Sequence, residues 1–171
     1  MKHADARALI QKGVTNTGGT WADLGAGSGV FTRALADLLG SEGTVYAVDR
    51  QPVRPFDIAG GASIVPLKAD FTKRLELTNL DGILTANALH FARRHERVLK
   101  HIVTTLKPGG TFILVEYDIR RGSPWIPFPV PLECFKTLAS KAGLGEVREI
   151  GRRRSRYGPR DIYAAIATKE R

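Results

Sequence analysis

The sequence contains few of the features that would stabilise a protein covalently or place it in a membrane. Cys134 is the one cysteine among 171 residues, which excludes a disulfide framework and a cysteine-based metal site. No apolar run approaches the roughly 20 residues of a membrane span, and the N-terminus lacks an apolar core of signal-peptide length. We therefore expect a cytoplasmic protein with no transmembrane segment and no bound metal.

Acidic residues are also scarce relative to basic ones. The chain has 17 Asp and Glu against 26 Lys and Arg, a formal net charge of +9. Such an excess favours anionic partners and says nothing about the fold. There are no internal repeats, and the length suits about one domain. We predict a single domain over 1–171, with an N-terminal helical extension at 1–19 and a core at 20–171.

What the sequence does contain is an alternation of strand and helix patterns, which predicts a parallel sheet with helices on both faces. Strands are predicted at 20–24, 44–49, 63–68, 81–86, 110–117, 146–150 and 161–168. Helices are predicted at 3–11, 28–39, 91–106 and 128–142. The short connection 151–160 predicts an antiparallel hairpin of the last two strands. Between the second and third strands, four residues leave room for at most one helical turn: Pro52, Pro55, Gly60 and Gly61.

The most informative stretch is the end of the first strand. Three glycines follow Asp23 at alternate positions: Gly25, Gly27 and Gly29. Glycine is needed where the backbone turns with φ > 0 or a ligand approaches closely, and amides that open a helix favour the anionic end of a ligand. The next strand ends at Asp49, placed to accept hydrogen bonds from two ribose hydroxyls. Val30 stands where a dinucleotide fingerprint has its third glycine, which argues against NAD.

The pattern D-L-G-A-G-S-G followed by V-Y-A-V-D resembles the class I S-adenosylmethionine-dependent methyltransferases. The resemblance continues at L-K-A-D-F (67–71), D-G-I-L-T-A-N-A-L-H (81–90) and L-K-P-G-G-T-F-I-L-V-E (106–116), and it covers roughly 20–168. The segments L-H-F and L-K-P-G-G are most similar to the branch with quinone-biosynthesis and lipid methyltransferases. The resemblance implies S-adenosylmethionine as cofactor. It also implies a Rossmann-like doubly wound α/β fold of seven strands, mostly parallel with an antiparallel last strand.

The resemblance also assigns residues to the cofactor. They are Asp23, Gly25, Ala26, Gly27, Gly29, Asp49, Arg50, Asp70, Phe71 and Asn87. Asp23 and the glycines would hold the methionine portion, and Asp49 would hold the ribose. Asp70 with Phe71 would meet the adenine amine, and Asn87 would face the cofactor. The alternatives are an ordinary βα turn for the glycines and solvated turn carboxylates for the acids.

His90 is the candidate general base, because it follows the fourth strand where the transferred methyl would lie. Methyl transfer is an in-line displacement, so positioning can supply much of the catalysis and a base is optional. The alternative is that His90 caps or lines the pocket. Glu116 ends the fifth strand on the same edge, followed by Tyr117 and Asp118, and this group could orient a substrate. His95 and His101 do not share a helix face, and we interpret them as surface residues.

Basic residues concentrate at the carboxyl edge of the predicted sheet, where open α/β sheets bind ligands. The loops at that edge contain half of the 26 basic residues, all but one of them arginine. They are Arg50, Arg54, Lys73, Arg74, Arg93, Arg94, Arg120, Arg121, Arg152, Arg153, Arg154, Arg156 and Arg160. Arginine suits bidentate recognition of carboxylate or phosphate. The adjacent apolar segment 125–131 could be a lid, a membrane-surface contact or core padding.

We therefore predict a methyltransferase for an anionic, partly apolar acceptor, a small or medium-sized molecule that includes lipid-like ones. The candidate substrate residues are Arg120, Arg121, Trp125, Arg152, Arg153 and Arg154. One alternative is an RNA or ribosomal-protein methyltransferase, which the charge supports although the base-specific motifs are missing. The second is a non-catalytic partner subunit that binds S-adenosylmethionine.

Overall fold

The computed structural model describes residues 1–54, 58–155 and 160–170, which form a seven-stranded sheet in the order β3-β2-β1-β4-β5-β7-β6. The strands are β1 (Gly19–Leu24), β2 (Gly43–Asp49), β3 (Ser63–Lys68), β4 (Leu80–Ala86), β5 (Leu106–Tyr117), β6 (Arg148–Arg154) and β7 (Asp161–Thr168). Strands β1 to β5 pair in parallel, and β7 runs antiparallel to both β5 and β6. The Rossmann-like sheet and the antiparallel hairpin are confirmed.

Helices cover both faces of the sheet, as the alternation of elements predicts. They are α1 (His3–Ile10), α2 (Val30–Leu39), α3 (His95–Val103) and α4 (Leu132–Lys141), with 3₁₀ turns at Gln11–Gly13 and Leu89–Phe91. Side chains alternate along a strand, so Trp21 packs towards α1 and α2 while Ala22 packs towards α3 and α4. Among the described residues, no helix is long and apolar enough to cross a bilayer.

Several predicted boundaries were wrong near the ends of helices, and the helix predicted at 128–142 begins only at Leu132. Helix α2 begins at Val30 instead of 28, because Gly29 has a φ of 76° and caps the helix. The helix predicted at 91–106 is the shorter α3, preceded by a 3₁₀ turn. The strand predicted at 110–117 begins earlier, at Leu106 opposite Leu80. Its pairing with β4 is irregular between Leu106 and Thr111, where Pro108 and two glycines lie and Gly109 has a φ of 78°.

The largest difference concerns β6, predicted at 146–150 and observed at Arg148–Arg154. The predicted hairpin loop thus loses Arg152, Arg153 and Arg154 to the strand, while Arg156 lies outside the described residues. Edge strands commonly carry charged side chains, which is why this polar run forms a strand. Side chains alternate across a strand, so Arg153 lies on the opposite face from its two neighbours.

The connection between β2 and β3 has the trimmed form that its sequence predicts. Its described residues, 50–54 and 58–62, contain no helix, and Pro55 lies outside the described part of the chain. Strand β3 still pairs in parallel with β2 along its whole length, from Ser63 opposite Thr44 to Lys68 opposite Asp49.

Candidate functional site

A solvent-open cavity of about 240 Å³ lies at the carboxyl ends of β1, β2 and β4. Its walls are the glycine turn after β1, the end of β2, the segment after β3 and the 3₁₀ turn after β4. Of the ten residues predicted to hold the cofactor, seven line it: Gly25, Gly27, Asp49, Arg50, Asp70, Phe71 and Asn87. The sheet topology therefore brings together residues from four separate segments.

Gly25 sets the shape of this cavity. Its φ is 85°, and a Cβ at this position would collide with the side chain of Ala88 after β4. The turn is tied to β2 because the amides of Gly25 and Ala26 donate to the Val48 carbonyl at 2.8 and 3.0 Å. Only glycine permits both the positive φ and this approach of two loops.

Asp49 is oriented over the glycine turn by two backbone amides. Its Oδ2 accepts from the Gly27 N–H and its Oδ1 from the Gln51 N–H, both at 2.9 Å. An ionised carboxylate oxygen can accept a second hydrogen bond, so both oxygens retain acceptor capacity. A carboxylate held in this way at the edge of the cavity fits a pair of neighbouring hydroxyl donors.

Asp70 forms a second fixed acceptor at the same cavity. Its Oδ1 accepts from the backbone N–H of Thr72 at 3.0 Å and from the Thr72 hydroxyl at 2.7 Å. Burial acts to raise the pKa of Asp70, but the Thr72 hydrogen bonds and the charges of Arg50 and Lys73 outweigh it and lower the pKa. An ionised acceptor beside the Phe71 ring fits the exocyclic amine of an adenine.

Asn87 carries a polar atom that lacks a partner. Its φ is 52°, and its backbone N–H donates to the Val115 carbonyl at 2.8 Å. Its Oδ1 is buried and accepts no hydrogen bond from the described residues. An unsatisfied buried polar group costs about 1–3 kcal/mol, so this oxygen fits a donor on a bound ligand. The cavity residues thus fit S-adenosylmethionine: Asp49 suits its ribose hydroxyls, Asp70 its adenine amine and Asn87 a further hydrogen-bond donor.

Three of the predicted cofactor residues do not line the cavity. Asp23 is 1% exposed, and its Oδ2 accepts from the Thr32 hydroxyl at 2.6 Å. Burial raises the pKa of Asp23 to about 7, against the Thr32 hydrogen bond and with a further contribution from the charge of Asp49. Ala26 packs in a small apolar cluster, and Gly29 caps α2. These three residues stabilise the glycine turn and do not face the cavity.

His90 is paired with Glu116 behind this cavity. The two residues are 2% and 1% exposed. The His90 Nδ1 lies 2.7 Å from Glu116 Oε2, and the His90 backbone N–H donates to Oε1 at 3.1 Å. The His90 ring lies 4.3 Å, centre to centre, from that of Phe91, which lines the cavity. Because Nδ1 is hydrogen-bonded to Glu116, Nε2 is the ring nitrogen that remains for a contact with a bound molecule.

The interpretation of His95 as a surface residue was wrong. The side chain is half-buried, and its Nε2 is buried without a hydrogen-bond partner among the described residues. Burial lowers the pKa of His95, opposed by the Phe128 backbone and the charge of Glu116. His90, Glu116 and His95 therefore form one group of ionisable side chains, which the six-residue spacing of the helix histidines could not reveal. His101 is also partly buried.

A second cavity of about 100 Å³ adjoins the first at Asn87, which lines both. It lies where β5 and β6 end and α1 begins, and its walls include Tyr117, Arg154, Ile162 and the ion pair of Arg153 with Asp5. The arrangement places a polar and cationic wall next to an apolar one. This cavity is the natural place for a second ligand beside the cofactor.

The three arginines of β6 have different surroundings. Arg152 donates to Glu149 through two nitrogens, both at 2.8 Å, and to Asp118 at 2.8 Å. Arg153 pairs with Asp5 at 2.8 Å. In the described part of the chain, Arg154 has no ion pair and lines the second cavity. The carboxylates at this edge therefore neutralise more of its charge than the sequence indicates.

The remaining candidate substrate residues lie on the loop between β5 and α4. Arg120 and Arg121 are exposed, and Trp125 is 83% exposed. None of the three lines either cavity. Cys134 lies on α4, where burial raises the pKa of its thiol.

Comparison with known proteins identifies the family. The model of the methyltransferase domain family matches residues 22–114, more than half of the chain. Equisetin synthetase of Fusarium heterosporum is 24% identical over 87% of this chain, which spans only 4% of that protein. The 1,6-didemethyltoxoflavin N1-methyltransferase of Burkholderia thailandensis, solved with S-adenosylhomocysteine, has a TM-score of 0.72 at 18% identity over 99% of this chain and 78% of its own.

A second solved structure has the same fold. It is phosphoethanolamine N-methyltransferase 2 of Haemonchus contortus in complex with phosphomonomethylethanolamine and S-adenosylhomocysteine. Its TM-score is 0.74 at 13% identity, over 98% of this chain and 53% of its own. Because the family model spans more than half of the chain and the fold agrees with it, the chain belongs to the class I S-adenosylmethionine-dependent methyltransferases.

Proposed function

We propose that this methyltransferase acts on an anionic, partly apolar acceptor of small or medium size, held in the cavity next to Asn87. The observation that carries the proposal is the junction of the two cavities at Asn87. A ligand in the first cavity and an acceptor in the second would meet at this residue. Arg154 would supply the charge that the acceptor neutralises, and Ile162 an apolar contact.

In the first cavity, we propose the roles that the sequence assigns to the lining residues. Asp49 would accept from the ribose hydroxyls, and Asp70 would accept from the adenine amine beside the ring of Phe71. The glycine turn would hold the methionine portion. When bound, S-adenosylmethionine supplies a methyl group already activated on a sulfonium.

His90 is the proposed general base. Glu116 holds the Nδ1 side of the ring, so a proton on Nδ1 leaves Nε2 with a free lone pair. As the methyl group transfers, the acceptor atom loses its proton to Nε2, and the Glu116 carboxylate stabilises the imidazolium that forms. A positioned base contributes typically about 10²–10⁴-fold. This role suits an acceptor whose hydroxyl, amine or acidic carbon must lose a proton.

Two comparisons support a small acceptor with a negative charge. The Burkholderia neighbour was solved with 1,6-didemethyltoxoflavin, a small molecule. The Haemonchus neighbour was solved with phosphomonomethylethanolamine, whose phosphate is anionic. Arginine recognises phosphate and carboxylate through paired hydrogen bonds, and Arg154 is the residue of the second cavity available for this contact.

The test is transfer of a labelled methyl group from S-adenosylmethionine to a cell extract separated into small-molecule, lipid, RNA and protein fractions. We expect label in the small-molecule or lipid fraction, and less of it with Arg154→Gln. The matched control is Arg97→Gln, an exposed arginine of α3 that lines neither cavity. Label confined to RNA or protein, or equal losses in both variants, would contradict the proposed acceptor.

A further inference from the structure

The loop between β5 and α4 is fixed at its base although its tip is exposed. Asp118 closes the base by accepting from the Leu132 N–H at 3.1 Å. The hydroxyl of the fully buried Tyr163 donates to the Val130 carbonyl at 2.8 Å. Both ends of the segment 119–131 are thus bonded to the core of the protein.

The tip of this loop is a tight hydrogen-bonded turn that presents a tryptophan to solvent. Ser123 and Ile126 exchange backbone hydrogen bonds, both at 3.0 Å, so the turn places Pro124 and Trp125 at its apex. Ile126 is 4% exposed and anchors the turn, whereas Trp125 is 83% exposed. Trp125 also lines neither cavity, which does not favour a lid over the acceptor.

The charge around this tryptophan is of one sign. Arg120 and Arg121 precede it and are both exposed, and the segment 119–131 contains no acidic residue. Tryptophan concentrates at membrane–water interfaces, where its ring meets the headgroup level. Arginines near a bilayer are attracted to anionic headgroups. An exposed indole on the same loop as two exposed cations has the chemistry of such an interface.

We propose that Arg120, Arg121 and Trp125 form a docking site for an anionic lipid surface, here called the tryptophan tip. The loop leaves the sheet directly after Tyr117, which lines the second cavity, so a docked surface would lie near the entrance for the acceptor. The inference does not depend on which molecule is methylated. It requires only that the tip contacts lipid while the protein remains folded.

The experiment is intrinsic fluorescence with vesicles of phosphatidylcholine alone or mixed with phosphatidylglycerol. The chain has two tryptophans, and Trp21 is 6% exposed in the core beneath α1 and α2. A blue shift and protection from acrylamide on adding anionic vesicles would therefore report Trp125. Trp125→Phe should retain part of the binding measured by vesicle sedimentation. Trp125→Ala should lower it roughly tenfold, the scale of burying one large apolar side chain.

The charge contribution has a matched control. Arg120→Gln with Arg121→Gln should lower the partition coefficient about thirtyfold, because each cation near an anionic surface contributes about 1 kcal/mol. Lys12→Gln with Arg148→Gln removes two exposed cations at the amino edge of the sheet and should change it by less than about threefold, a weak long-range effect. Thermal melts identify any variant that fails to fold.

Three outcomes would overturn the proposal. The first is the absence of a blue shift with anionic vesicles. The second is an equal loss of binding in the two double variants, which would show that the net charge of the protein and not the position of the arginines determines vesicle binding. The third is a blue shift of the same size produced by S-adenosylhomocysteine alone, without vesicles, which would make the tryptophan tip a lid over the ligand.

Discussion

The first cavity and the end of strand β6 both lie at the carboxyl edge of the sheet, but they differ in whether their polar groups have partners within the protein. In the first cavity, Asn87 Oδ1 is buried without a partner and Asp49 retains acceptor capacity. In β6, Arg152 and Arg153 are bonded to carboxylates of the chain itself. Of the buried polar atoms that lack a partner among the described residues, Asn87 Oδ1 is the one whose residue lines this cavity, so we expect a ligand to bind there.

The largest expected effect concerns the base. His90→Ala should lower turnover by about 10²–10⁴-fold while the affinity for the cofactor stays nearly unchanged, because His90 is not among the residues that line the first cavity. Glu116→Gln should also lower turnover, since an amide has one acceptor oxygen for the two His90 N–H groups that Glu116 accepts from, and it lacks the negative charge that would stabilise an imidazolium. Single-turnover kinetics and calorimetry measure both quantities. If turnover of the His90→Ala variant fell by less than fivefold, His90 would not be the general base.

The next effect concerns the ribose. Asp49→Ala should weaken binding of S-adenosylhomocysteine at least tenfold in calorimetry, because two charge-assisted hydrogen bonds of roughly 1.5–3 kcal/mol each are lost. Asp37→Ala is the matched control, since Asp37 pairs with Arg7 on the surface of α2. Equal affinity in the Asp49 variant and the wild type would remove Asp49 from the cofactor site.

The arginines of β6 should separate into two groups. Arg154→Gln should raise the acceptor KM about tenfold, the scale of one charged hydrogen bond, without altering cofactor affinity. Arg152→Gln should instead lower the melting temperature, because Glu149 and Asp118 lose their shared partner. Steady-state kinetics and thermal melts distinguish the two effects. If Arg152→Gln raised the KM and Arg154→Gln did not, the comparison between bonded and unbonded arginines would be wrong.

The smallest effect concerns Asp23. Because burial raises its pKa to about 7, the folded protein binds a proton that the unfolded chain has lost. The contribution of Asp23 to stability is therefore present below the ordinary value of 3.8 and is lost as the pH rises to about 7. Asp23→Asn should make the free energy of unfolding, measured by urea titrations, depend less on pH in this range. An unchanged slope in the variant would mean that Asp23 ionises normally.

The cavity that the candidate cofactor residues line could be predicted from sequence, because its shape depends on local features. A glycine turn with positive φ follows β1, and Asp49 and Asp70 come where their strands end. Each of these signals occupies a few consecutive residues, and the parallel topology brings the strand ends to one edge.

The pairing of His90 with Glu116 could not be predicted, because it depends on strand register. The two residues are 26 positions apart and meet because Ala86 of β4 lies opposite Val115 of β5. Local pattern gives no register between parallel strands. The bonds of Arg152 to Asp118 and Glu149 were missed for the same reason, since they follow from the observed length of β6.

If the unpartnered buried oxygen of Asn87 binds the cofactor, removing that oxygen should weaken cofactor binding. Asn87→Gly removes the unpartnered oxygen, and glycine adopts the φ of 52° without strain. The measurement is calorimetric affinity for S-adenosylhomocysteine together with the melting temperature of the ligand-free protein. We predict about tenfold weaker binding, the scale of one lost hydrogen bond to a buried group, and an unchanged or higher melting temperature. Unchanged affinity with a lower melting temperature would show that Asn87 stabilises the fold and does not bind the ligand.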